Sequence, residues 1–463
     1  MPGSGAGSPH MQYEGTTSAA VAVAIERARS SPLYAEKLAG LEVRSLEDVS
    51  RLPLTTRADL QRAGPHGTRA VPIERVCHYG ESSGTTGASN STWLTARDLQ
   101  RNAAVIASRH PDVFGPGRVV LNRFPFMAAP AHLVQLIAQA GGGIAVPAGN
   151  INWDVPFPRA LDLARTTGAS VLAAMPLEPV ILAQVAIARG LDPSTATPFD
   201  TFFLGGSPMP PAYQARLARV WGVRVVELYG STETMLLGTG CAEGALHLET
   251  DLALAEVLAL DGDRPTTAGE VGRLVVTTLE LEGSPLVRFE TGDLVARLAP
   301  CKCGDARPAV RVLGRQSETL EIAGQRLHAY DVIDAAAEAA DTLDSSVFFV
   351  VALGDRLLVR IETESSADPT ARLVQRLAVP VEVEAVGSNE ILDAELLCRS
   401  PHVYKPVVMS DWSRAGRRIV SVSEGMIEWP RLTLADGWRW LRRNLRRSRR
   451  RRQLGGLVPG RAR

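Results

Sequence analysis

The sequence predicts an α/β fold: a large N-terminal domain with parallel βαβ sheets and a small β subdomain, followed by a small α+β C-terminal domain. Two observations predict it. Between residues 118 and 224, the apolar runs "RVVLNRF", "GGIAVPA", "SVLAAMP", "DTFFLGG" and "VRVVELYG" alternate with the helical segments "PAHLVQLIAQA", "PFPRALDLARTTG", "EPVILAQVAIARG" and "PPAYQARLARVW". Strands rich in Val, Ile and Leu alternating with helices make βαβ units, whose sheet is covered on both faces. After Gly314 the pattern becomes a helix, "AYDVIDAAAEAADTL", a hairpin, "SSVFFVVALGDRLLVRIETE", and a further strand, "PVEVEAV". A domain boundary is therefore expected at about Arg315.

The remaining segments follow in chain order. Residues 1–16 open with "MPGSGAGSPHM", small and polar without periodicity, and read as a disordered lead or an expression remnant. The large domain is expected over 17–314. From about Thr17 to Leu60 the pattern is helical, with Ser45 and Thr56 as N-caps of short helices. "LALAEVLAL", "VGRLVVTTL" and "PLVRFETGDLVARLA" are short strands broken by Gly, Pro and Asp, a small barrel or sheet closing the large domain. The small domain takes 315–413, and 414–463 read as a basic helical tail.

Composition sets the class. Of 463 residues 45% are hydrophobic and 22% charged, ordinary for a globular protein able to bury a sizeable core. Fifty Lys plus Arg balance fifty Asp plus Glu, so no overall charge steers the chain to nucleic acid or anionic lipid. The tail is the exception: "RWLRRNLRRSRRRR", residues 439–452, carries nine arginines and no acid. It suits an acidic partner, a CoA phosphate, a carrier protein or RNA, or equally no partner at all. No run of 18 apolar residues and no secretory signal is present, so the chain reads as cytoplasmic, with no membrane partner.

Four stretches carry chemistry: "SSGTTG" at 82–87, "ELYGSTET" at 227–234, "RFETGDLV" at 288–295 and "LGRQSETLEIAGQRL" at 313–327. Glycine lets a backbone approach a ligand closely and hydroxyls with free amides donate to oxyanions, so the first suits a phosphate cradle. No Gly-Lys-Ser/Thr follows it, so it is not a Walker A loop. In this order and spacing the four stretches resemble the adenylate-forming superfamily of acyl- and aryl-CoA synthetases, luciferases and peptide synthetase adenylation domains. "SPLYAEKLAG", "LPLTTRADL" and "CKCGDARPAVRVLGR" look like the phenylacetate-CoA ligase group in particular. The resemblance covers roughly Ser31 to Trp412.

It implies ATP-dependent activation of a carboxylic acid as acyl-AMP, then transfer to a thiol, with ATP, Mg2+ and CoA as cofactors and cosubstrate. Ser82, Ser83, Thr85 and Thr86, with the amides of Gly84 and Gly87, would hold the β and γ phosphates. Tyr229 would offer a face to adenine, Thr232 an oxygen near the α-phosphate, and Glu233 a hard carboxylate for Mg2+. Asp293 would accept the ribose hydroxyls and Arg315 hold ribose or phosphate. Lys405, the one lysine of "ELLCRSPHVYKPVVMSDWS", would bring positive charge to the bond being made when a mobile C-terminal domain closes. Two features depart from the family pattern: Tyr404 and Pro406 flank that lysine, and Ser317-Glu318 replaces the usual aspartate pair at the hinge.

Five cysteines without a secretory signal do not suggest disulfides. Cys301 and Cys303 of "CKCG", with Cys241 and His247 of "GCAEGALHLE", form a Cys3His set suited to structural zinc, a set the resemblance also implies. Cys77 and Cys398 are ordinary thiols. The acyl pocket is expected from "NRFPFMAAPAHLV" and "FFLGGSPMPP", with Phe124, Phe126, Met127 and Ala128 to Ala131 as an apolar wall, His132 as the nearby ring nitrogen, and Gly205 and Gly206 also at the substrate. No acid stands where an amino-acid substrate's amine would need one, so an aryl or small acyl acid is expected. CoA is the expected acceptor. An acyl carrier protein, an amine, another oxyacid substrate, or a non-enzymatic nucleotide- or nucleic-acid-binding role are the alternatives.

Overall fold

The structure, a computed structural model, describes residues 17–82, 89–125, 129–149, 155–399, 406–414, 416 and 418–426. The chain divides into two units that interleave along it. One comprises Met1–Pro147, Phe203–Gly206 and Val226–Ser317, and the other Ala148–Phe202, Ser207–Val225 and Glu318–Arg463. The alternation read from the sequence is present as strands Val119–Asn122, Ile144–Pro147, Val171–Ala174, Thr201–Gly205 and Arg224–Ser231, with helices Ala129–Ala140, Phe157–Thr167, Glu178–Ala188 and Pro211–Trp221 between them.

In the first unit, Val119–Asn122 and Ile144–Pro147 pair in parallel, the crossover being helix Ala129–Ala140. Ile144–Pro147 departs from the doubly covered strand expected there: Ile144 is 57% exposed, because the strand lies at a sheet edge with one neighbouring strand among the described residues. The return from the helix runs through Gly141-Gly142-Gly143. Gly142 has φ 86°, and a Cβ on Gly141 would meet the Phe114 carbonyl oxygen at 2.3 Å, so this corner admits only glycine.

The rest of that unit is an antiparallel sheet, in spatial order Ala253–Leu258, Val271–Thr278, Phe289–Arg297, Ala309–Arg315, Leu246–Leu248, Met235–Gly240 and Arg224–Ser231. One face buries Leu237, Leu246, Leu274, Val276, Phe289 and Val310 in a common core. The N-terminal helices Ser18–Ala28, Pro32–Lys37 and Leu46–Val49 bury Val21, Ile25, Tyr34, Leu38 and Val49 against Leu254, Leu279 and Val287.

The expected N-caps are present. Ser45 and Thr56 each accept the backbone N–H three residues on, and Asp48 and Asp59 return the bond, completing two capping boxes. Between the capped helices the chain is stitched to the sheet. The Thr55 amide donates to the Arg288 carbonyl at 2.8 Å, and the Thr55 hydroxyl to the Val287 carbonyl at 2.7 Å. Arg288 holds Glu256 through two 3.0 Å contacts and donates to the carbonyls of Ser50 and Leu52. This anchor sets where Arg57, two residues on from Thr55, emerges.

The second unit carries a four-stranded sheet in the order Val381–Val386, Leu357–Glu362, Phe348–Ala352 and Met409–Asp411. Its central pair is the antiparallel hairpin expected, and the outer pairs are parallel. Helix Ala329–Thr342 accompanies it, and helix Pro211–Trp221 is tied to that helix by Ala212 N–H on Asp334 at 2.8 Å and Arg216 on Asp341 at 3.0 Å. Among the described residues, no helix is long and apolar enough to cross a membrane.

The anchor is testable. Arg288→Ala leaves a largely buried Glu256 carboxylate unpaired and should cost ~3–5 kcal/mol in urea unfolding. Thr56→Ala removes one cap and should cost about 1 kcal/mol. The reverse ranking would show that the caps, and not the ion pair, hold the N-terminal segment.

Candidate active site

A hairpin of Val76–Glu81 and Ser91–Thr95 frames the Gly/Ser/Thr loop. Its neck is closed by Ser82 and Asn90: the Ser82 amide donates to the Asn90 carbonyl and the Asn90 amide to the Ser82 hydroxyl, both at 2.9 Å. Ser83, Gly84, Thr85, Thr86 and Gly87 lie outside the described residues, as do Phe126, Met127, Ala128, Lys405 and the basic tail.

Beside the neck, residues 231–235 turn between two strands. Ser231 and Thr234 bond each other's amides and hydroxyls, and Met235 takes φ 60°, a left-handed value uncommon outside glycine. Gly230 is required here, because a Cβ would meet the Met235 carbonyl oxygen at 2.2 Å. The turn presents Thr232 and Glu233, 8% and 2% exposed. Glu233 accepts from Asn90 Nδ2 at 2.8 Å and Arg57 Nη2 at 3.2 Å. Neither partner was singled out from the sequence. Each stands in a quoted motif, Asn90 just past the glycine loop and Arg57 in "LPLTTRADL", and that placement was the available signal.

A second carboxylate lies on the neighbouring strands. Asp293 stands opposite Arg315 in register, with Arg315 Nε 3.1 Å from its Oδ1, and Tyr229 donates its hydroxyl to Oδ2 at 2.7 Å. Burial raises the Asp293 pKa and Arg315 opposes the rise, while burial and the Asp293 charge push the Tyr229 hydroxyl well above its ordinary value. Each Asp293 oxygen keeps a further lone pair for a ligand's hydroxyl. Glu227 shares a strand face with Tyr229, two residues away, and burial pushes its carboxyl up to about 8. Sequence reading had passed over it.

Gly205 and Gly206 have backbone reasons for being glycine. A Cβ on Gly205 would meet the Leu228 carbonyl oxygen at 2.4 Å, and Gly206 has φ 99°. Phe124 is buried, and His132 stacks on His78 with ring centroids 5.2 Å apart.

Cys241, His247, Cys301 and Cys303 converge, their donor atoms all within 4.8 Å of one another. Cys241 and Cys301 sulfurs are 3.7 Å apart, and Cys303 Sγ lies 3.2 Å from His247 Nε2. A tetrahedral ion with Zn–S bonds of about 2.3 Å would space two sulfurs by about 3.8 Å. His247 Nδ1–H donates to the Arg307 carbonyl at 3.2 Å, which leaves the Nε2 lone pair facing the cysteines. The donor set and its spacing fit zinc.

Residues 18–295 match the family model of AMP-binding enzymes. The chain belongs to this family. It is 32% identical over 298 residues to a phenylacetate-coenzyme A ligase of Thermus thermophilus, the alignment covering 62% of this chain and 65% of that protein. It is 27% identical over 315 residues to the Escherichia coli phenylacetate-coenzyme A ligase, covering 63% and 68%. The match thus spans just under two thirds of the T. thermophilus relative's length. Among solved structures, a 2-hydroxyisobutyryl-CoA ligase in complex with 2-HIB-AMP shares the fold at TM-score 0.74, with 21% identity, 89% of this chain and 94% of that chain covered.

The raised Glu227 pKa makes stability depend on pH. A carboxyl that holds its proton up to about 8 when folded, against an ordinary 4.5, binds more protons folded than unfolded between those values. Stability should therefore fall as pH rises through that window. Glu227→Gln should flatten this part of the curve, as read from urea midpoints across it; an unchanged slope would assign the dependence to other groups.

Proposed function

We propose that this protein activates a carboxylic acid, aryl or small acyl, with ATP, and then passes the acyl group to the thiol of CoA. The observation that carries the reading is a set of two buried carboxyl groups in a chain of the AMP-binding family, Glu233 held by Asn90 at the neck of the Gly/Ser/Thr loop and Asp293 held by Arg315 and Tyr229. CoA is preferred as acceptor over a carrier protein or an amine because the relatives named above are CoA ligases.

In the first step a carboxylate oxygen attacks the α-phosphorus and the bond to the β-phosphate breaks, its electron pair leaving with pyrophosphate. In the second the thiolate attacks the acyl carbon and AMP leaves with the electrons of the acyl–oxygen bond. Little covalent chemistry is asked of the protein, so catalysis rests on positioning and charge. Ser82, Ser83, Thr85 and Thr86 with the Gly84 and Gly87 amides hold the β and γ phosphates. Tyr229 stacks on adenine, Asp293 accepts the ribose hydroxyls with Arg315 beside it, and Thr232 orients an α-phosphate oxygen. Glu233 would hold Mg2+, which when bound neutralises phosphate charge. Lys405 supplies positive charge to the transferring phosphoryl group, and Phe124, Phe126, His132, Gly205 and Gly206 shape the acyl pocket.

ATP–pyrophosphate exchange with a panel of carboxylic acids tests the reading; no exchange with any acid would overturn it. Lys405→Ala should slow single-turnover adenylation at least about a hundredfold with ATP binding nearly intact, the signature of a group acting on developing charge. Glu233→Gln should move the Mg2+ dependence to higher concentration. An unchanged Mg2+ titration would remove Glu233 from the metal's ligands.

Cys241, His247, Cys301 and Cys303 would hold a structural zinc, since four protein ligands leave no position for a reacting water. One zinc per chain is expected by metal analysis, with a lower Tm in chelator. Full zinc content in Cys301→Ser would exclude that ligand.

A further inference from the structure

Each buried carboxyl group of the site already has its own cation. Glu233 meets Arg57 Nη2 at 3.2 Å, and Asp293 meets Arg315 Nε at 3.1 Å. The two pairs act on each other: burial raises the Asp293 pKa, and Arg315, the Tyr229 hydroxyl and then Arg57 oppose the rise.

Arg57 is placed for Glu233 and not for its own helix. It is the first residue of helix Arg57–Gly67, the end at which a helix favours anions over cations. Its Nε is buried with no hydrogen-bond partner among the described residues, although an unmade bond there is costly. The contact of Nη2 with the carboxylate is what holds the guanidinium in this position.

The contacts on Glu233 are one-sided. Arg57 Nη2 and Asn90 Nδ2 both reach Oε1, and among the described residues none reaches Oε2. A cation bound at Oε2 would lie only a carboxylate's width from the guanidinium. Alone, it would add two positive charges beside a carboxylate whose single charge is already matched, in a site where Glu233 is 2% exposed. A triphosphate brings the missing anionic oxygens, and Mg2+ is commonly held by one or two carboxylates together with substrate phosphates.

We propose that Arg57 is a resident counter-ion that closes Glu233 to a free divalent cation and admits Mg2+ only together with the triphosphate. The proposal rests on the reading above in which Glu233 is a Mg2+ ligand, and it makes Arg57 a positioning residue that acts through Glu233.

The test uses Mn2+, which shares the preference of Mg2+ for oxygen ligands. It is titrated into the full chain without nucleotide, and binding is read from loss of the free-ion electron paramagnetic resonance signal. The parent should take up no more Mn2+ than Glu233→Gln does. Arg57→Met keeps an unbranched apolar stem and removes the charge. It should bind one Mn2+ at least about a hundredfold more tightly than the parent, since a unit charge beside a divalent ion has been removed from a partly buried site. Adding Glu233→Gln should abolish that gain, and Arg57→Lys, which keeps the charge, should behave as the parent. In calorimetry the β,γ-imido analogue of ATP should bind the parent at least about tenfold more tightly with Mn2+ than without, the reciprocal of metal entry coupled to nucleotide.

Mn2+ uptake by the nucleotide-free parent that Glu233→Gln removes would overturn the proposal, and this measurement decides even if Arg57→Met fails to fold. A folded Arg57→Met that gains no Mn2+ site would overturn it too, leaving Arg57 a structural role, as would an Arg57→Lys that gains the same site. Analogue binding indifferent to Mn2+ would remove the metal role of Glu233 from the proposed function, and this inference with it.

Discussion

A carboxyl group 2% exposed to solvent needs hydrogen-bond partners within the protein, and Glu233 imposes that requirement on the first unit. Its two partners come from distant parts of the chain. Asn90 is 143 residues away at the neck of the glycine loop, and Arg57 is 176 residues away at the start of a capped helix. Folding that unit therefore means bringing a hairpin, an N-terminal segment and a strand turn to one point. The stitching of Thr55 to Val287 and Arg288 follows from the same need, because it fixes the chain just before Arg57.

The antiparallel sheet does for Asp293 what the N-terminal segment does for Glu233. Register places Arg315 directly across from Asp293, and Tyr229 reaches the other carboxylate oxygen from the strand Arg224–Ser231. A slip of one residue would turn each side chain to the opposite face. The same sheet brings Ala309 opposite His247, which sets the imidazole near the cysteines of residues 301–303. The proposed nucleotide residues and the proposed metal ligands are in this sense two readouts of one register.

The local backbone is shaped for display and not for regular pairing. The turn after Tyr229 combines a glycine with no room for a Cβ, a left-handed methionine and a pair of mutually bonded hydroxyls. Such a turn holds Thr232 and Glu233 in one orientation before any ligand arrives, which is what positioning chemistry requires. The Nε2 atom of His78, which has no hydrogen-bond partner among the described residues, lies close to the same turn.

The alternation of apolar runs with helical segments was enough to predict the α/β class, and Ser45 and Thr56 were legible as caps because capping is decided within four residues. The family was legible from four short motifs taken together in their order and spacing, and residues 18–295 match the AMP-binding family model. What the sequence by itself could not determine is who pairs with whom. That Glu233 rests on Arg57 and Asn90, that Glu227 is pushed up to about 8, and that His78 stacks on His132 all depend on approach between segments far apart in the chain. Local propensity and spacing carry no record of such approach. Burial, which sets the hydrogen-bonding needs of each of these groups, exists only once the tertiary structure has closed around them.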